Sequence, residues 1–240
     1  MGFATVAGGS RATAPITGIL ASDLAVGSTV KLLESGSAVE YLVVNQGLPS
    51  SIYDDSCNGC WLLRKDCYES RAWHISNAND YANSTIHSYL NGTFLGLLDS
   101  NTQAAVKQAK IPYRAGSGYS TTVTSGSSGL STKIFLLSAT EVGLTGTEYN
   151  PTNEGATLSY FSGTDTSGED TKRVAYLNGS ATIWWLRSPY CYSSYGSGFS
   201  LRVYTNGRWS SGNCSNSCGI RPALVLPHTT KIDSNNNIIG

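Results

Sequence analysis

The hydrophobic positions of the chain group into short runs that predict strands. Residues 30–33 and 40–45 are mainly apolar runs on either side of a Ser-Gly-Ser turn, which predicts a hairpin. Residues 61–65 form a third run of this kind. Residues 134–137 are apolar throughout, which is typical of a strand buried on both faces. Residues 223–226 predict a last strand, expected in the same sheet as residues 30–33 and able to pair with them.

Helical signals along the chain are few and short. Residues 79–90 place Tyr, Ile and Leu side chains near a 3.6-residue period and predict a helix. Residues 100–103 have the capping-box order Ser-Asn-Thr-Gln, and residues 104–109 predict the continuation of a second helix, which ends before a proline. A further capping box at residues 138–141 predicts a short helical segment that Gly143 ends.

The last part of the chain is mostly predicted strand. Residues 184–187 are an apolar strand candidate. Residues 199–204 alternate apolar with polar side chains, so one face of this strand should be buried and the other open. The pair Asn206-Gly207 is a strong hairpin signal and predicts a turn into residues 208–209.

Composition favours a loop-rich β or mixed fold over a helical bundle. Only 13% of the 240 residues are charged, whereas glycine, serine, threonine and asparagine are abundant. Basic and acidic residues are equal at 16 each, so no net charge directs the chain to nucleic acid or to an anionic membrane. No apolar run is long enough to span a bilayer, and the first residues lack the layout of a signal peptide. We therefore expect no nucleic-acid partner and no membrane span.

The chain is expected to hold one large domain. Residues 1–26 carry small residues, adjacent glycines and a proline, which is typical of an N-terminal arm or linker. A short ordered arm within residues 14–24 is the alternative. Residues 27–240 then form the domain, and its polar stretches at 119–132 and 145–172 predict loops.

The segment at about 190–218 differs from its two apolar flanks. It follows WWLRSP at residues 184–189, precedes GIRPALVLP at residues 219–227, and is rich in Tyr, Ser, Cys, Asn and Gly. Tyrosine offers rigid amphipathic contact area and Ser, Asn and Gly offer adaptable hydrogen bonds, as in binding loops, although ordinary polar loops use the same residues. We favour a binding surface, because aromatic side chains in a loop expose apolar area unless a ligand covers it.

The segment should bind a ligand, and its two flanks should stabilise the fold. We expect the flanks to be core, with Arg187 and Arg221 holding the base of the loops through carboxylate or carbonyl partners. The flank residues expected to be buried are Trp184, Leu186, Ile220, Leu224 and Leu226. The residues expected to be mostly exposed on one surface, in contact with a ligand, are Tyr190, Tyr192, Ser193, Ser194, Tyr195, Ser197, Tyr204, Asn206, Arg208, Ser210, Ser211, Asn213, Ser215 and Asn216.

The amino-acid composition of the segment also has a genetic interpretation. Replacing only the adenines of the Asn codon AAC produces Tyr, Ser, Cys, Gly, Asp, His, Arg or Thr, so adenine-directed mutagenesis would leave this composition. The two flanks with the segment between them resemble the C-type-lectin-like variable proteins of diversity-generating retroelements, and more narrowly a domain family of gut Firmicutes and their phages. The motifs WLLRKDCYESRAWH, NDYANSTIHSYLNGTF, KIPYR and KIFLLSATEVG extend this likeness over about residues 30–227.

The resemblance implies an α+β, C-type-lectin-like fold with two short helices, small antiparallel sheets and long loops. A subtype similar to formylglycine-generating enzymes is the alternative. The implied function is non-enzymatic binding of a protein or glycan ligand on a host cell surface, through a hypervariable surface. A phage tail or the bacterial cell surface is the implied location, and a homo-oligomer such as a trimer suits a tail protein. The alternative functions are an oxidoreductase of the formylglycine-generating type and a structural virion decoration domain.

Cysteine and histidine residues suggest a metal or redox site only weakly. The CNGC sequence at 57–60 with Cys67 has zinc-like spacing, but His74 is its only candidate fourth ligand, so buried thiols are the preferred interpretation. Cys214 and Cys218 resemble the cysteine pair of formylglycine-generating enzymes only superficially, because no basic or aromatic setting lowers a thiol pKa there. We therefore expect no catalytic residues, no cofactor and no required metal.

Overall fold

The fold of the computed structural model is built from short strands with little helix, over residues 18–116, 121–145, 153–191 and 196–239. The first nine strands are β1 (Gly18–Leu20), β2 (Thr29–Glu34), β3 (Ser37–Gly47), β4 (Gly59–Arg64), β5 (Ser70–Ala72), β6 (Ala109–Ile111), β7 (Tyr113–Arg114), β8 (Val123–Thr124) and β9 (Leu130–Thr132). The others are β10 (Tyr176–Leu177), β11 (Ser180–Ala181), β12 (Trp184–Pro189), β13 (Phe199–Val203), β14 (Trp209–Asn213), β15 (Ser217–Gly219), β16 (Ala223–Leu226), β17 (Lys231–Asp233) and β18 (Ile238–Ile239). The α-helices are α1 (Thr85–Tyr89) and α2 (Ser100–Ala105).

A four-stranded antiparallel sheet with the order β16-β4-β3-β2 joins distant parts of the chain. The hairpin of β2 and β3 is confirmed, and residues 30–33 share this sheet with residues 223–226 as predicted. Direct pairing of those two segments is wrong, because β4 and β3 lie between them. The reason is burial: β4 is apolar and buried along most of its length and occupies the interior, whereas β2 alternates exposed and buried residues, as an edge strand does.

A five-stranded sheet carries the segment of interest. Its order is β14-β13-β12-β15-β5, and β12 pairs antiparallel with β13 and parallel with β15. The predicted hairpin is confirmed: β13 pairs with β14 from Phe199↔Asn213 to Val203↔Trp209, and the backbone N–H of Gly207 donates to Tyr204 O at 2.9 Å. The predicted alternation of β13 holds for buried Leu201 and Val203 but not for Ser200, which is buried as well.

The turn at Gly207 gives a test of local backbone chemistry. Gly207 has φ of +83°, and a Cβ there would lie 1.9 Å from the carbonyl oxygen of Asp170. Gly179 has nearly the same φ, +80°, but no atom lies within 4 Å of a Cβ placed there. We expect Gly179→Ala to lower the free energy of unfolding by about 1 kcal/mol, from left-handed backbone alone. Gly207→Ala should cost about 1–3 kcal/mol more, because of the clash.

Chemical denaturation of the two variants measures this difference. Equal losses of stability in Gly179→Ala and Gly207→Ala would contradict the close approach of the turn to Asp170.

Two hydrophobic clusters form the core on opposite sides of the strands. Along β4, Leu62 joins the first cluster while Trp61 and Leu63 join the second. Along β12, Trp185 joins the first and Trp184 the second. Alternate side chains point to opposite faces, so a strand between two clusters is apolar at successive positions. The five flank residues predicted to be buried are all confirmed: Trp184, Leu186, Ile220, Leu224 and Leu226.

The first predicted helix, residues 79–90, is displaced along the chain. The α-helix begins after Ser84, whose hydroxyl oxygen accepts a hydrogen bond from the backbone N–H of His87. After α1 the chain continues as a π-helical turn, Leu90–Phe94, and a 3₁₀ turn, Leu95–Leu97. The capping serine therefore decides where this helix begins.

The second predicted helix is present but shorter. Its N-cap is Asp99 rather than Ser100, because the Asp99 carboxylate accepts from the backbone N–H groups of Asn101 and Thr102. The predicted extension through residues 104–109 is wrong, since α2 ends at Ala105 and β6 pairs with β9 from residue 109. Within the described residues, no helix is both long and apolar enough to cross a membrane.

The apolar run 134–137 is buried as predicted but is not a strand. Only Phe135 makes a bridge, exchanging backbone hydrogen bonds with Ala223 at 3.0 and 2.8 Å. The helix predicted at residues 138–143 is a turn, although Ser138 and Glu141 make both hydrogen bonds of a capping box. The predicted stop at Gly143 is confirmed: its φ of +81° is left-handed and ends the segment after a single turn.

Two predicted loops differ in outcome. Residues 119–132 contain the short strands β8 and β9, which sequence reasoning missed because the stretch is rich in Ser, Thr and Gly. Where residues 145–172 are described they are mostly irregular, as predicted, with 3₁₀ turns at Ser159–Phe161 and, beginning at its end, Thr171–Arg173.

Residues near the start and the end of the described chain lie together. Strand β1 pairs antiparallel with β17, from Gly18↔Asp233 to Leu20↔Lys231. Ala21 and Leu24 are buried in the same cluster as Val30 and Leu32 of β2. The described part of the predicted N-terminal arm is therefore ordered, and the boundary at residue 27 stays a prediction.

Candidate ligand-binding surface

Thirteen of the fourteen predicted contact residues fall into three groups by their exposure in the structure. Four are exposed: Tyr204, Arg208, Ser215 and Asn216. Five are partly exposed: Ser197, Asn206, Ser210, Ser211 and Asn213. Tyr192, Ser193, Ser194 and Tyr195 lie outside the described residues.

The exposed position predicted for Tyr190 is wrong. Only 6% of this residue is exposed, and it belongs to the second hydrophobic cluster. Its backbone N–H donates to Phe199 O at 3.0 Å, and the two rings lie 6.3 Å apart between centroids. Tyr190 directly follows β12, all of whose residues are buried, so it extends the core instead of beginning the exposed loop.

The backbone beneath the exposed residues is held by regular hydrogen bonds. The five paired positions of β13 and β14 place Tyr204 and Arg208 at the end of a hairpin, where Tyr204 N donates to Arg208 O at 2.8 Å. After β14, the Asn213 side-chain oxygen accepts from the backbone N–H and the hydroxyl of Ser215 at 3.0 and 2.7 Å. The side chains of this surface can therefore vary without loss of these backbone hydrogen bonds.

Two open depressions lie on this part of the sheet. The first is lined by Tyr204, Arg208, Trp209, Ser210 and Ser211. The second includes Ser70, Thr182, Arg202, Thr205, Asn216 and Ser217. Trp209 and Arg202, which line these depressions, were not among the predicted contact residues, although the alternation of residues 199–204 had assigned Arg202 to the open face of its strand.

A buried ion pair lies under the beginning of the segment. Arg187 donates to both carboxylate oxygens of Glu141, at 2.5 and 2.6 Å, and neither side chain is exposed. Arg187 also donates to the carbonyl oxygens of Pro112 and Leu136, at 3.1 and 2.9 Å. Burial by itself would lower the pKa of Arg187, but the adjacent Glu141 carboxylate outweighs it and raises that pKa.

The ion pair is part of a larger network. Glu141 also accepts from the Tyr53 hydroxyl at 2.9 Å. Glu154 lies between two arginines, 3.4 Å from Arg187 Nε and 3.5 Å from Arg114 Nε. Arg114 in turn donates to Pro189 O at 3.1 Å. The predicted carboxylate and carbonyl partners of Arg187 are confirmed, the sequence did not indicate which residues supply them, and its role in holding the loop base stays a prediction.

The second flank is held by an arginine without a carboxylate. Arg221 donates from Nε to Arg64 O at 2.9 Å, and its guanidinium lies 5.0 Å from the ring centroid of Trp184. Burial lowers the pKa of Arg221 to about 10, so it remains a cation at neutral pH. The expected carbonyl partner is thereby confirmed.

A fourth buried arginine, Arg173, binds the hairpin turn. Its guanidinium donates to the carbonyl oxygens of Gly207, Val142 and Gly168, at 2.6, 3.3 and 2.8 Å. Sequence reasoning missed this residue, because nothing local to residue 173 indicates that residue 207 lies against it.

The cysteines occupy separate places in the core. All six are buried. Cys57 belongs to the second hydrophobic cluster and Cys60 to the first, so the CxxC sequence does not bring its thiols to one side. The described residues contain no group of three or more His, Cys, Asp or Glu side chains suited to hold a metal ion. Cys214 lies 3.5 Å from the Ser200 hydroxyl, and Cys218 lies 3.4 Å from Arg202 Nη1.

Burial should make these thiols unreactive in the folded protein. It raises the pKa of Cys57 and Cys60 to about 12, and that of Cys67 and Cys214 to about 11. A raised pKa keeps a thiol protonated at pH 8, and the thiolate is the form that attacks a disulfide reagent. We expect Ellman's reagent to react slowly with the native protein and to titrate all six thiols in guanidinium. A titration of four thiols in guanidinium would contradict this expectation by revealing a disulfide.

Comparison with known sequences places this architecture in a family. The family described as Domain of unknown function (DUF6273) matches residues 58–228. The chain belongs to this family. The DUF6273 match begins one residue before β4 and ends two residues after β16, so it spans both flanks and the segment between them. No curated protein and no solved structure matches the chain.

Proposed function

We propose that this chain is a non-enzymatic ligand-binding protein with a C-type-lectin-like fold. Its segment at 190–218 would vary between related copies and recognise a receptor on a host cell surface, as part of a phage tail or a bacterial surface protein. One observation carries the proposal: Tyr204 and Arg208 lie exposed at the turn of the β13–β14 hairpin, whose backbone the buried Arg173 binds at Gly207 O.

The separation of surface from core supports a variable segment. Tyr204 is 43% exposed, and Arg208, Ser215 and Asn216 are exposed as well. Substitution at exposed positions usually changes the free energy of unfolding by no more than about 0.5 kcal/mol. The ion pairs that fix the backbone lie at residues outside or at the edge of the segment. Sequence changes at the surface can therefore alter the ligand without altering the fold.

The closure of the chain supports the proposed fold. A C-type-lectin-like domain brings the beginning and the end of its chain together, and here β1 pairs with β17. The β2–β3 hairpin and β16 also lie in one sheet. The small antiparallel sheets and the two short helices agree with the same class.

Gene context tests the proposed diversification. We expect a reverse transcriptase gene near the coding sequence, with a near-copy of the part that encodes residues 190–218. Differences between the two copies should fall at adenines. A constant segment among close relatives, without a neighbouring reverse transcriptase, would contradict the proposal.

Adsorption to bacterial cells tests the proposed receptor binding. Fluorescently labelled protein should bind cells of the host species, and the Tyr204→Ala/Arg208→Ala variant should bind more weakly with an unchanged melting temperature. Lys65→Ala is the matched control, because Lys65 is also exposed but lies outside the segment. Equal loss of binding in both variants would argue against a surface at β13–β14.

A further inference from the structure

Arg202 lies on the candidate surface without an acidic partner. It is half-buried in the middle of β13, and its guanidinium lies 5.8 Å from the ring centroid of Trp185. Nε donates to the Ser210 hydroxyl at 3.3 Å and Nη1 to the Cys218 sulfur at 3.4 Å. Among the described residues Nη2 has no partner, and it is not one of the buried unpaired atoms. One edge of the guanidinium is therefore open to the depression beside it.

The other buried or half-buried arginines in the described ranges differ from Arg202. Each has a carboxylate or a carbonyl oxygen as its acceptor: Arg64, Arg71, Arg114, Arg173, Arg187 and Arg221. A hydroxyl at 3.3 Å is a long acceptor, and a thiol sulfur is a weak one. The charge of Arg202 is consequently the least compensated of this group.

In the described residues, no acidic side chain on the elements next to β13 forms an ion pair with Arg202. The sequence contains no Asp or Glu between Asp170 and Asp233. Glu69, which precedes β5, pairs with Arg71 at 2.6 Å. Glu169 accepts from Asn206 at 2.5 Å, and Asp170 accepts from the backbone N–H of Lys172. Among the described residues, none of these acids forms an ion pair with Arg202.

The space around the guanidinium depends on a glycine. A Cβ at Gly212 would lie 2.6 Å from Arg202 Nη1 and 3.0 Å from the Trp185 ring. Gly212 thus leaves room for Arg202 to lie over the indole. Hydroxyl and amide groups of the depression come from Ser70, Thr182, Thr205, Asn216 and Ser217, and the rest of its lining is Ala181, Ile183, Cys218 and Gly219.

We propose that Arg202 and this depression bind the carboxylate of an acidic sugar. The inference rests on the proposed function and names the ligand class of that surface. A guanidinium offers two parallel N–H groups that match a carboxylate, and such charge-assisted pairs are stronger than neutral hydrogen bonds. The surrounding hydroxyl and amide groups suit the hydroxyl groups of a sugar ring. The open edge of Arg202 supplies the contact that distinguishes an acidic sugar from a neutral one.

NMR titration of the full chain, observing the Arg Nε–H and backbone amide signals, tests the inference. The probes are glucuronate, galacturonate and N-acetylneuraminate, with glucose and galactose as neutral matches and inorganic sulfate as a simple anion. We expect at least one acidic sugar to shift the signals of Arg202, Asn216 and Ser217 in a saturable way, while the neutral sugars do not. Failure of all three acids, or equal binding of sulfate, would overturn the inference.

Variants at Arg202 complete the test. Arg202→Gln should abolish binding of the acidic sugar, and Arg202→Lys, which keeps the charge but loses the paired N–H groups, should weaken it about tenfold or more. Lys65→Gln, at an exposed cation outside the candidate surface, is the control and should bind as the wild type does. Unchanged binding in Arg202→Gln would overturn the inference while leaving adsorption through Tyr204 and Arg208 intact. A constant gene segment would contradict the proposed function while leaving sugar binding at Arg202 intact.

Discussion

Replacing Glu141 by alanine should lower the free energy of unfolding by about 3–5 kcal/mol. The substitution removes the two Glu141 oxygens that accept from Arg187 at 2.5 and 2.6 Å, and leaves this fully buried cation with only the Glu154 carboxylate, 3.4 Å away. The Tyr53 hydroxyl and the Ser138 backbone N–H would also lose an acceptor. Urea denaturation followed by tryptophan fluorescence measures the change, because the Trp residues of the described chain are mostly buried.

A surface ion pair provides the matched control for this substitution. Glu40 and Lys65 lie 2.7 Å apart, but their side chains are 42% and 49% exposed. Glu40→Ala should therefore change the free energy of unfolding by no more than about 1 kcal/mol. Replacing Glu141 and Arg187 together by apolar residues should recover part of the loss, since no unpaired cation remains at position 187. A loss of less than about 1 kcal/mol in Glu141→Ala would show that the pair does not hold the base of the segment.

Replacing Trp185 by alanine should lower the free energy of unfolding by about 3–5 kcal/mol. Trp185 is fully buried in the first hydrophobic cluster, and its indole N–H donates to Arg71 O at 3.0 Å. Its ring also supports the guanidinium of Arg202. The variant should therefore lose stability and acidic-sugar binding together. Thermal unfolding and the NMR titration measure the two effects.

Two tyrosines serve as controls for the effect of removing an aromatic ring. Tyr204 is 43% exposed, so Tyr204→Ala should leave the melting temperature nearly unchanged. Tyr190 is 6% exposed and packs against Phe199, so Tyr190→Ala should be clearly destabilising although both residues lie in the same Tyr-rich segment. Equal melting temperatures for the two variants would contradict the division of this segment into core and surface.

Local chemistry explains what could be predicted from the sequence. The Asn206-Gly207 pair predicts its hairpin correctly, because the turn needs a backbone conformation that glycine adopts at +83°. Continuous apolar runs predict β12 and β16 as buried strands, because a strand between two clusters has no solvent-facing position. The open face of residues 204–216 follows from polar composition in the same way. Each of these inferences needs only the residues within a few positions.

Long-range contacts decided the features that the sequence did not predict. Arg187 and Glu141 are 46 positions apart, so no local pattern indicates that the carboxylate which caps its own turn also binds the arginine. Strand β16 pairs with β4 rather than with β2, because both β16 and β4 are buried along most of their length, whereas β2 alternates exposed and buried residues. Tyr190 is buried because Phe199 returns beside it on the next strand. The tertiary structure likewise decides that Arg202 has no acidic partner. The nearby acids Glu69, Glu169 and Asp170 make contacts with other groups.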